Sequence, residues 1–292
     1  MGINYRTQWP NLNANFETFS AYLDYHFEDY YSSAGIIFVR DQEGVAGLQS
    51  TSIGLQYAYQ VQLNYLWTFR FGVQAAYYTC DLNFNKLTFG DQFGPNGIER
   101  NFTIETFDTG LRATFFDLSL GGVLYGPSLW IGGAVHHINE PNQSITGNEA
   151  PLDKRISIHG GYRISLSPGS TRTDIGERSI TPSFNYRTQG DFEQLDLGVY
   201  FTLSPLLTGV WYRGLPIREL EGISNSESII FMLGFQSNRV TFGYSFDYTI
   251  ADLGIGTGGA HEVSIGYAFS LGSPLKPAAS VRQLKCPIPL IF

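Results

Sequence analysis

The sequence predicts an all-β fold: a transmembrane, antiparallel, up-and-down β-barrel of about fourteen strands with both termini in the periplasm. Three observations predict it. Large apolar residues alternate with small or polar ones along most of the chain. Aromatic and charged residues each make up 15% of the 292 residues, whereas charged residues reach about 25% in an ordinary soluble domain. The sequence also lacks any run of about 18 apolar residues, so no transmembrane helix is expected.

The alternation is clearest in residues 67–77, and residues 53–63 and 262–270 repeat it. One face of the first segment would carry Trp67, Phe69, Phe71, Val73, Ala75 and Tyr77, and the other Arg70, Gly72, Gln74 and Ala76. The large apolar face suits lipid and the small, polar face suits a barrel lumen. The predicted strands span residues 2–8, 15–28, 33–41, 47–63, 66–81, 105–116, 126–138, 154–167, 179–189, 193–204, 206–214, 227–237, 239–251 and 260–271.

The lengths of the connections predict the orientation. Turns near residues 64–65, 204–205 and 237–238 are very short, whereas connections near 82–104, 139–153 and 215–226 are long. Bacterial barrels place short turns in the periplasm and long loops outside, which puts both termini in the periplasm. Two connections on the periplasmic side, 117–125 and 168–178, are predicted to be longer than this rule prefers.

The chain divides into a barrel, residues 1–271, and a C-terminal periplasmic tail, residues 272–292. Pro274 and Pro277 end the last strand, since proline cannot donate to a ladder. The tail is apolar, and its side chains should cover either the barrel's own periplasmic mouth or a groove on a periplasmic partner: Leu284, Ile288, Leu290, Ile291 and Phe292. Because an exported barrel needs a signal peptide, we expect the sequence either to begin after its cleavage or to be truncated.

Charge and cysteine usage exclude several classes of function. The net charge is −8 and the pI about 5.1, so the chain has no basic surface for nucleic acid. Cys80 and Cys286 stand far apart without a metal-type spacing, so a zinc site is not expected. They could form a disulfide or remain two thiols. No cofactor motif is present.

Two pairs that contain histidine are candidates for catalytic or metal-binding residues. His136 and His137 are neighbours on a predicted strand, so they should point to opposite faces and play a structural role at the strand end. Ser157 and His159 share a face, but the GxSxG nucleophile motif is absent. The sequence therefore predicts no enzyme.

Charged residues within the strands should face the lumen, because charges are costly on the lipid face. Alternation assigns Asp24, Arg70, Arg112, Arg163, Arg187, Asp196, Asp247 and Glu262 to it. They could line a path for solutes or pair with each other and fill the barrel. Both signs occur in similar numbers, which favours pairing, because a selective pore usually presents one dominant sign.

The long connections carry the candidate residues for binding a protein partner, since loops on a rigid scaffold commonly carry function. Their alternative role is to cap the barrel. The candidates are Phe89, Asp91, Gln92, Phe93, Asn96, Asn142 and Gln143.

An ordered set of motifs resembles one family across nearly the whole chain. The motifs are residues 4–10 (NYRTQWP), 85–92 (NKLTFGDQ), 136–144 (HHINEPNQS), 159–163 (HGGYR), 186–190 (YRTQG), 211–214 (WYRG) and 258–262 (GGAHE). Together they resemble the PorP/SprF family of outer-membrane barrels from the Bacteroidota type IX secretion and gliding machinery. The C-terminal ending, CPIPLIF, is longer than the family's short ending.

The resemblance implies partners rather than catalysis. It implies a barrel in the outer membrane of a Gram-negative bacterium that contacts outer-membrane lipids and type IX secretion components. The protein partner would be the C-terminal domain of a secreted adhesin or a periplasmic ring lipoprotein. Two alternatives remain open, a passive porin or small-molecule channel and an outer-membrane lipid enzyme.

Overall fold

The computed structural model describes residues 1–12, 15–44, 47–82, 87–95, 97–104, 112–166, 178–215, 228–237, 239–250, 255–269 and 286–289. Its strands in chain order are β1 (Gly2–Gln8), β2 (Phe16–Phe27), β3 (Ser32–Glu43), β4 (Leu48–Gln62), β5 (Thr68–Asp81), β6 (Phe93–Gly94), β7 (Gly97–Ile98), β8 (Arg112–Tyr125), β9 (Leu129–His136), β10 (Arg155–Tyr162), β11 (Ile164–Ser165), β12 (Arg178–Gln189), β13 (Phe192–Leu203), β14 (Leu206–Leu215), β15 (Ser228–Gln236), β16 (Val240–Thr249) and β17 (Ala260–Tyr267). In the described connections, short 3-10 helices lie at Glu28–Tyr30, Gly90–Gln92 and Ile255–Thr257.

The main sheet closes into a barrel. Each strand pairs antiparallel with its neighbours, β1 pairs with both β2 and β17, and β10 pairs with both β9 and β12. The hairpin of β6 and β7 stands apart inside a connection, and β11 continues β10 along β12. The barrel therefore has 14 strands in the described part of the chain, which confirms the predicted antiparallel barrel of about fourteen strands.

The barrel has a polar interior and an apolar outer surface. Side chains that are almost fully buried inside it include Thr68, Asp117, Thr181, Asp196, Ser245 and Asp247. On the outer face, Leu55 is 65% exposed and Val73 is 51% exposed. A soluble domain shows the reverse arrangement, whereas a barrel surrounded by lipid requires this one. Among the residues described, no helix has the length and hydropathy needed to cross a membrane.

The predicted boundaries around residues 105–138 are wrong. Residues 117–125, predicted to be a connection, form most of β8, and the turn to β9 occupies residues 126–128. Asp117, Ser119 and Gly121 interrupt the apolar pattern because they face inward, where small and polar residues belong. A Cβ at Gly121 would lie 3.0 Å from the Ala134 Cβ of β9, so glycine allows the two strands to approach. Residues 105–111 and 168–177 lie outside the described part.

The two ends of the barrel differ. We call the end with Met1 and the connections 63–67, 126–128 and 204–205 the turn end, and the opposite end, with residues 87–104 and 137–154, the loop end. The turn end is compact: the Asn64 Oδ1 accepts hydrogen bonds from the backbone amides of Leu66 at 2.8 Å and Trp67 at 2.9 Å. Such an Asx turn reverses the chain within a few residues.

Candidate functional site

Six charged side chains form a continuous series of ion pairs on the inner wall toward the loop end. In spatial order they are Glu262 on β17, Arg6 on β1, Asp247 on β16, Arg213 on β14, Asp196 on β13 and Arg187 on β12. We call this series the charge ladder. Acids and arginines alternate along it, so every charge has an opposite neighbour.

The contacts within the charge ladder are short. The Arg6 guanidinium lies 3.2 Å from Glu262 and 2.7 Å from Asp247, and Arg213 lies 2.5 Å from Asp247. Arg213 also makes a looser pair with Asp196 at 3.9 Å, and Arg187 lies 2.9 Å from the same carboxylate. Hydrogen bonds from a charged donor to a charged acceptor are the strong ones in proteins.

Two neutral amides complete the hydrogen bonding of the acids. Asn4 Nδ2 donates to Glu262 at 2.7 Å, and Gln194 Nε2 donates to Asp196 at 2.7 Å. The Asp247 Oδ1 is buried and has no hydrogen-bond partner among the described residues. The series is therefore satisfied at nearly every oxygen, as buried carboxylates require.

Strand register places these groups together. Arg6 is directly opposite Glu262, and Asp196 is directly opposite Arg213. All belong to the inward-facing sets of their strands, because side chains of one parity share a face. The charge ladder thus connects strands β12 to β14, β16, β17 and β1 across the point where the first and last strands meet.

Two of the three acids, Asp196 and Asp247, are more deeply buried than the arginines, whereas the Glu262 side chain is 24% exposed against 20% for Arg6. Asp196 and Asp247 are 4% exposed, whereas the Arg187 side chain is 41% exposed. The guanidinium groups and Trp9 line a cavity of about 410 Å³. The charge ladder contains three acids and three arginines, so no sign dominates, which fits mutual pairing better than ion selection.

Four of the eight residues predicted to face the lumen belong to the charge ladder: Arg187, Asp196, Asp247 and Glu262. Three others face inward elsewhere. Arg70 donates to the Gln60 Oε1 at 2.5 Å, Arg163 donates to the Pro127 carbonyl at 3.4 Å, and Asp24 lies 3.9 Å from the N-terminal amine at the turn end.

The assignment of Arg112 to the lumen is wrong. Its side chain is 56% exposed and pairs at 3.3 Å with Asp81, which is also exposed, at the loop end. On β8 the inward parity belongs to Ala113, Asp117 and Ser119, so Arg112 is on the other face. The predicted strand ran from 105 to 116, and Arg112 in fact stands at the strand terminus, where a long side chain can reach water.

Arg6 and Arg213 are the two members of the charge ladder that the prediction missed. Arg6 alternates with Asn4 and Gln8, a polar face that could have identified it. Arg213 lies in a strand where both faces carry large apolar residues, including inward-facing Leu207 and Trp211, so alternation gave no clear face.

His136 and His137 do not point to opposite faces, contrary to the prediction. The His136 Nδ1 lies 3.2 Å from the Ser119 hydroxyl, and the His137 Nδ1 lies 2.9 Å from the Asp117 carboxylate. Asp117 and Ser119 share the inward face of β8. His137 follows the last residue of β9 and has φ +59°, and this left-handed backbone turns its ring to the same side. Their role is structural in the sense that both rings tie the loop end to β8.

The connection at residues 87–104 is organised by two of the predicted partner-binding residues. Gln92 is buried, and its side chain accepts from the Phe89 amide at 2.7 Å and donates to the Arg100 carbonyl at 3.4 Å. The Asp91 carboxylate accepts from the Ile104 amide at 2.7 Å and the Thr103 hydroxyl at 2.8 Å. Hydrogen-bond donors stabilise the charged form of a carboxyl group, so these bonds lower the pKa of Asp91. The bond from the Ile104 amide makes the largest contribution.

Four apolar side chains of this connection are exposed. Phe93 and Ile98 are opposite one another in the β6–β7 hairpin and are 57% and 61% exposed. Phe102 and Ile104 are also largely exposed. Asn96 lies outside the described residues.

The connection at residues 137–154 is closed by Asn142. Its Oδ1 accepts from the amides of Ser144 and Ala150, both at 3.0 Å, and its Nδ2 donates to the Asn148 carbonyl at 3.2 Å. Gln143 is exposed, and its backbone amide donates a hydrogen bond to the Ala150 carbonyl at 3.0 Å. Asn142 therefore shapes the loop, and Gln143 presents its side chain to solvent.

One part of the predicted tail, residues 286–289, lies inside the barrel. Pro287 is buried, and Ile288 lines a cavity with inward-facing Gln56, Gln74 and His159. Leu284, Leu290, Ile291 and Phe292 lie outside the described residues. Cys80 and Cys286 are free thiols, so they do not form the disulfide that the sequence left open. Among the described residues, no three His, Cys, Asp or Glu side chains cluster as a metal site would require.

A closed antiparallel barrel with an apolar outer face and a polar, ion-paired lumen is an outer-membrane β-barrel. The family model for the type IX secretion system membrane protein PorP/SprF matches residues 1–267. The chain therefore belongs to the PorP/SprF family. This is a family of secretion-system membrane proteins located in the outer membrane, not a family of enzymes.

Comparison with solved structures gives three examples of similar barrels. The outer membrane protein Omp33 of Acinetobacter baumannii aligns with a TM-score of 0.46 and 8% identity, over 92% of this chain and 97% of its own. The KdgM porin aligns with a TM-score of 0.38 and 9% identity, over 92% and 100%. BamA of Haemophilus ducreyi aligns with a TM-score of 0.41 and 9% identity, over 91% and 70%. Nothing about function follows from likenesses this low. Comparison with curated proteins gives no match.

Proposed function

We propose that this barrel is a non-enzymatic component of the type IX secretion system that holds a protein partner at the outer membrane. The partner is the C-terminal domain of a secreted adhesin, and the barrel serves its secretion, its attachment to the surface, or gliding. In this arrangement the loop end faces the exterior and both termini face the periplasm. A periplasmic ring lipoprotein at the turn end is the second partner class.

The observation that carries this proposal is the character of residues 87–104. Asp91 and Gln92 bind the loop's own backbone, so the loop is preorganised, and Phe93 and Ile98 remain exposed side by side on it. Contiguous exposed apolar side chains on a water-facing surface mark interaction sites. A preorganised loop also loses little conformational entropy when a partner binds.

The lumen supports a scaffold more than a conduit. All six charges of the ladder on its wall pair with each other, and two of the three acids, Asp196 and Asp247, are buried. Conduction requires groups that can exchange protein contacts for contacts with a passing ion. Groups held within a mutual network of ion pairs are poorly suited to that exchange.

The test is to remove the apolar surface of the loop while retaining the fold. The double variant Phe93→Ser and Ile98→Ser should weaken surface display of a type IX-exported adhesin, measured by protease accessibility on intact cells. Tyr65→Ser is the matched control, because Tyr65 is 92% exposed but lies at the turn end. Deletion of residues 94–99 should act in the same direction. Unchanged display with a folded barrel would exclude the loop and move the partner site to the periplasm.

A passive porin or small-molecule channel is the second candidate. Cavities of about 410 and about 470 Å³ in the lumen favour it. Single-channel recordings separate the two functions, because a porin gives steady open currents when inserted into a planar bilayer.

A further inference from the structure

The inner wall opposite the charge ladder is built mainly from small and neutral residues, although Asp24 and Arg70 also line it. Strands β3, β4, β5, β8, β9 and β10 surround a cavity of about 470 Å³ there. We call this surface the small-residue wall and define it by Gln56, Ala58, Gly72, Gln74, Gly121 and Ala134. Gln56 donates to the Gln74 Oε1 at 2.8 Å, so these two amides are already paired. The surface therefore offers space and little charge.

Residues 286–289 of the same chain are seated against this wall. Ile288 lines the cavity together with Gln56 and Gln74, which lie near the middle of their strands. Cys286 lies near Tyr125, the last residue of β8, at the turn end. The segment thus extends from the turn end toward the middle of the lumen.

The composition of the segment suits this position. Pro287 and Pro289 have no backbone N–H, so they remove two donors that would otherwise need partners inside the barrel. Their fixed φ also lowers the entropy lost when the segment is held in one conformation. Ile288 lies between them and contributes an apolar side chain that the small residues opposite can accommodate.

We propose that the small-residue wall is a binding surface for residues 286–289 of this chain, and that the seated segment closes the lumen. The charge ladder lies on the opposite side of the lumen, so the ladder and the segment both narrow it. This inference does not depend on which partner binds the loops.

Thiol labelling tests whether the segment is seated. In a Cys80→Ser variant, Cys286 is the sole thiol of the chain. A bulky, water-soluble maleimide should label it at least about tenfold more slowly in the folded, detergent-solubilised barrel than after Ile288→Asp, which places a charge in an apolar position, because seated segments react through local opening. Ile288→Leu is the conservative control and should keep the protection. Equal labelling rates in all three proteins would overturn the proposal.

Conductance tests whether the segment closes the lumen. The full chain should be silent in planar bilayers, whereas truncation after residue 285 should give stable openings. A synthetic peptide of residues 284–292 should block the truncated barrel, and a scrambled peptide should not. Ile288→Asp in the full chain provides the same test if the truncated barrel fails to fold. Equal conductance of the full and altered chains, whether open or silent, would contradict closure by this segment.

Discussion

Arg213 on β14 reaches across β15 to donate a hydrogen bond to Asp247 on β16. The residue it passes is Ser228, which is opposite Arg213 in the register and is small and buried. The same Asp247 oxygen accepts a hydrogen bond at 2.7 Å from Arg6, which reaches across β17. One carboxylate thus holds two guanidinium groups from strands that are not adjacent to its own. This makes Asp247 the central member of the charge ladder.

Replacing Asp247 should destabilise the barrel more than replacing an exposed acid. Asp247→Ala leaves Arg6 and Arg213 without their shared acceptor, and breaking a buried pair in this way costs about 3–5 kcal/mol. The matched control is Asp81→Ala, because Asp81 pairs with Arg112 in an exposed position, where a salt bridge contributes about 0–1 kcal/mol. Urea-induced unfolding in lipid vesicles measures both changes. Equal effects of the two substitutions would contradict the structural role of the charge ladder.

Removing the carboxylate of Asp117 should loosen the loop end from β8. Asp117 is 1% exposed, and its carboxylate is the partner of the buried His137 ring. Asp117→Ala leaves that ring nitrogen without a hydrogen-bond partner, which should lower the free energy of unfolding by about 1–3 kcal/mol. Asp117→Asn keeps an acceptor and should retain most of the stability. The two variants are compared by thermal unfolding, and an equal loss in both would show that the hydrogen bond to His137 contributes little.

The strand pattern could be predicted because alternation is a property of each strand by itself. Leu55 and Gln56 are neighbours in sequence. The lipid on the outer face requires an apolar side chain such as that of Leu55, and the lumen accepts a polar one such as that of Gln56. The same rule placed Asp196 and Asp247 inside. It failed at Arg112, because the adjacent aromatic residues Phe115 and Phe116 give each face of β8 a large apolar side chain, so the local pattern does not show which face is inward.

The charge ladder could not be predicted as a unit, because it depends on register across six strands. Arg213 and Asp247 become neighbours only when β15 carries a small residue between them. The orientation of His137 depends on one left-handed backbone conformation, which a non-glycine residue adopts only in a specific structural context. Neither relationship has a short-range signal in the sequence.

A charge at the middle of the outer face should be costly, and the same charge near the turn end should not be. Leu55 lies at the middle of β4, whereas Leu63 follows its end, and both are more than half exposed. Leu55→Arg should cost about 2–4 kcal/mol in a bilayer and Leu63→Arg about 0–1 kcal/mol. Folding into vesicles, followed by the heat-dependent gel shift of barrels, measures the difference. Two equal costs would place Leu55 outside the hydrocarbon region.

The loop at residues 87–104 should open in acid through Asp91. The hydrogen bond from the Ile104 amide lowers the pKa of this carboxyl below its ordinary value. A group whose folded pKa is lowered stabilises the structure above its unfolded pKa, and this contribution is lost as the pH falls through the folded value. Proteolysis within the loop should therefore be slow at neutral pH and become fast only below the ordinary pKa of an aspartate.

Asp91→Asn separates the charge of this carboxyl from the shape of the side chain. The variant should be cleaved more readily than the unaltered protein at neutral pH, and its cleavage should depend little on pH once the intrinsic activity of the protease is taken into account. If the loop of the unaltered protein were cleaved equally slowly at pH values above and below the pKa of Asp91, the proposed role of the carboxylate would be wrong.

Affinity purification from native outer membranes tests the central claim most directly, because it identifies what the barrel holds. The tagged protein is captured in mild detergent after brief crosslinking, and its companions are identified by mass spectrometry. The account predicts a type IX-secreted adhesin in near-equal amount, which is lost in the Phe93→Ser and Ile98→Ser variant and retained in Tyr65→Ser. Recovery of the folded barrel alone, with no secreted or periplasmic type IX component in comparable amount, would contradict it.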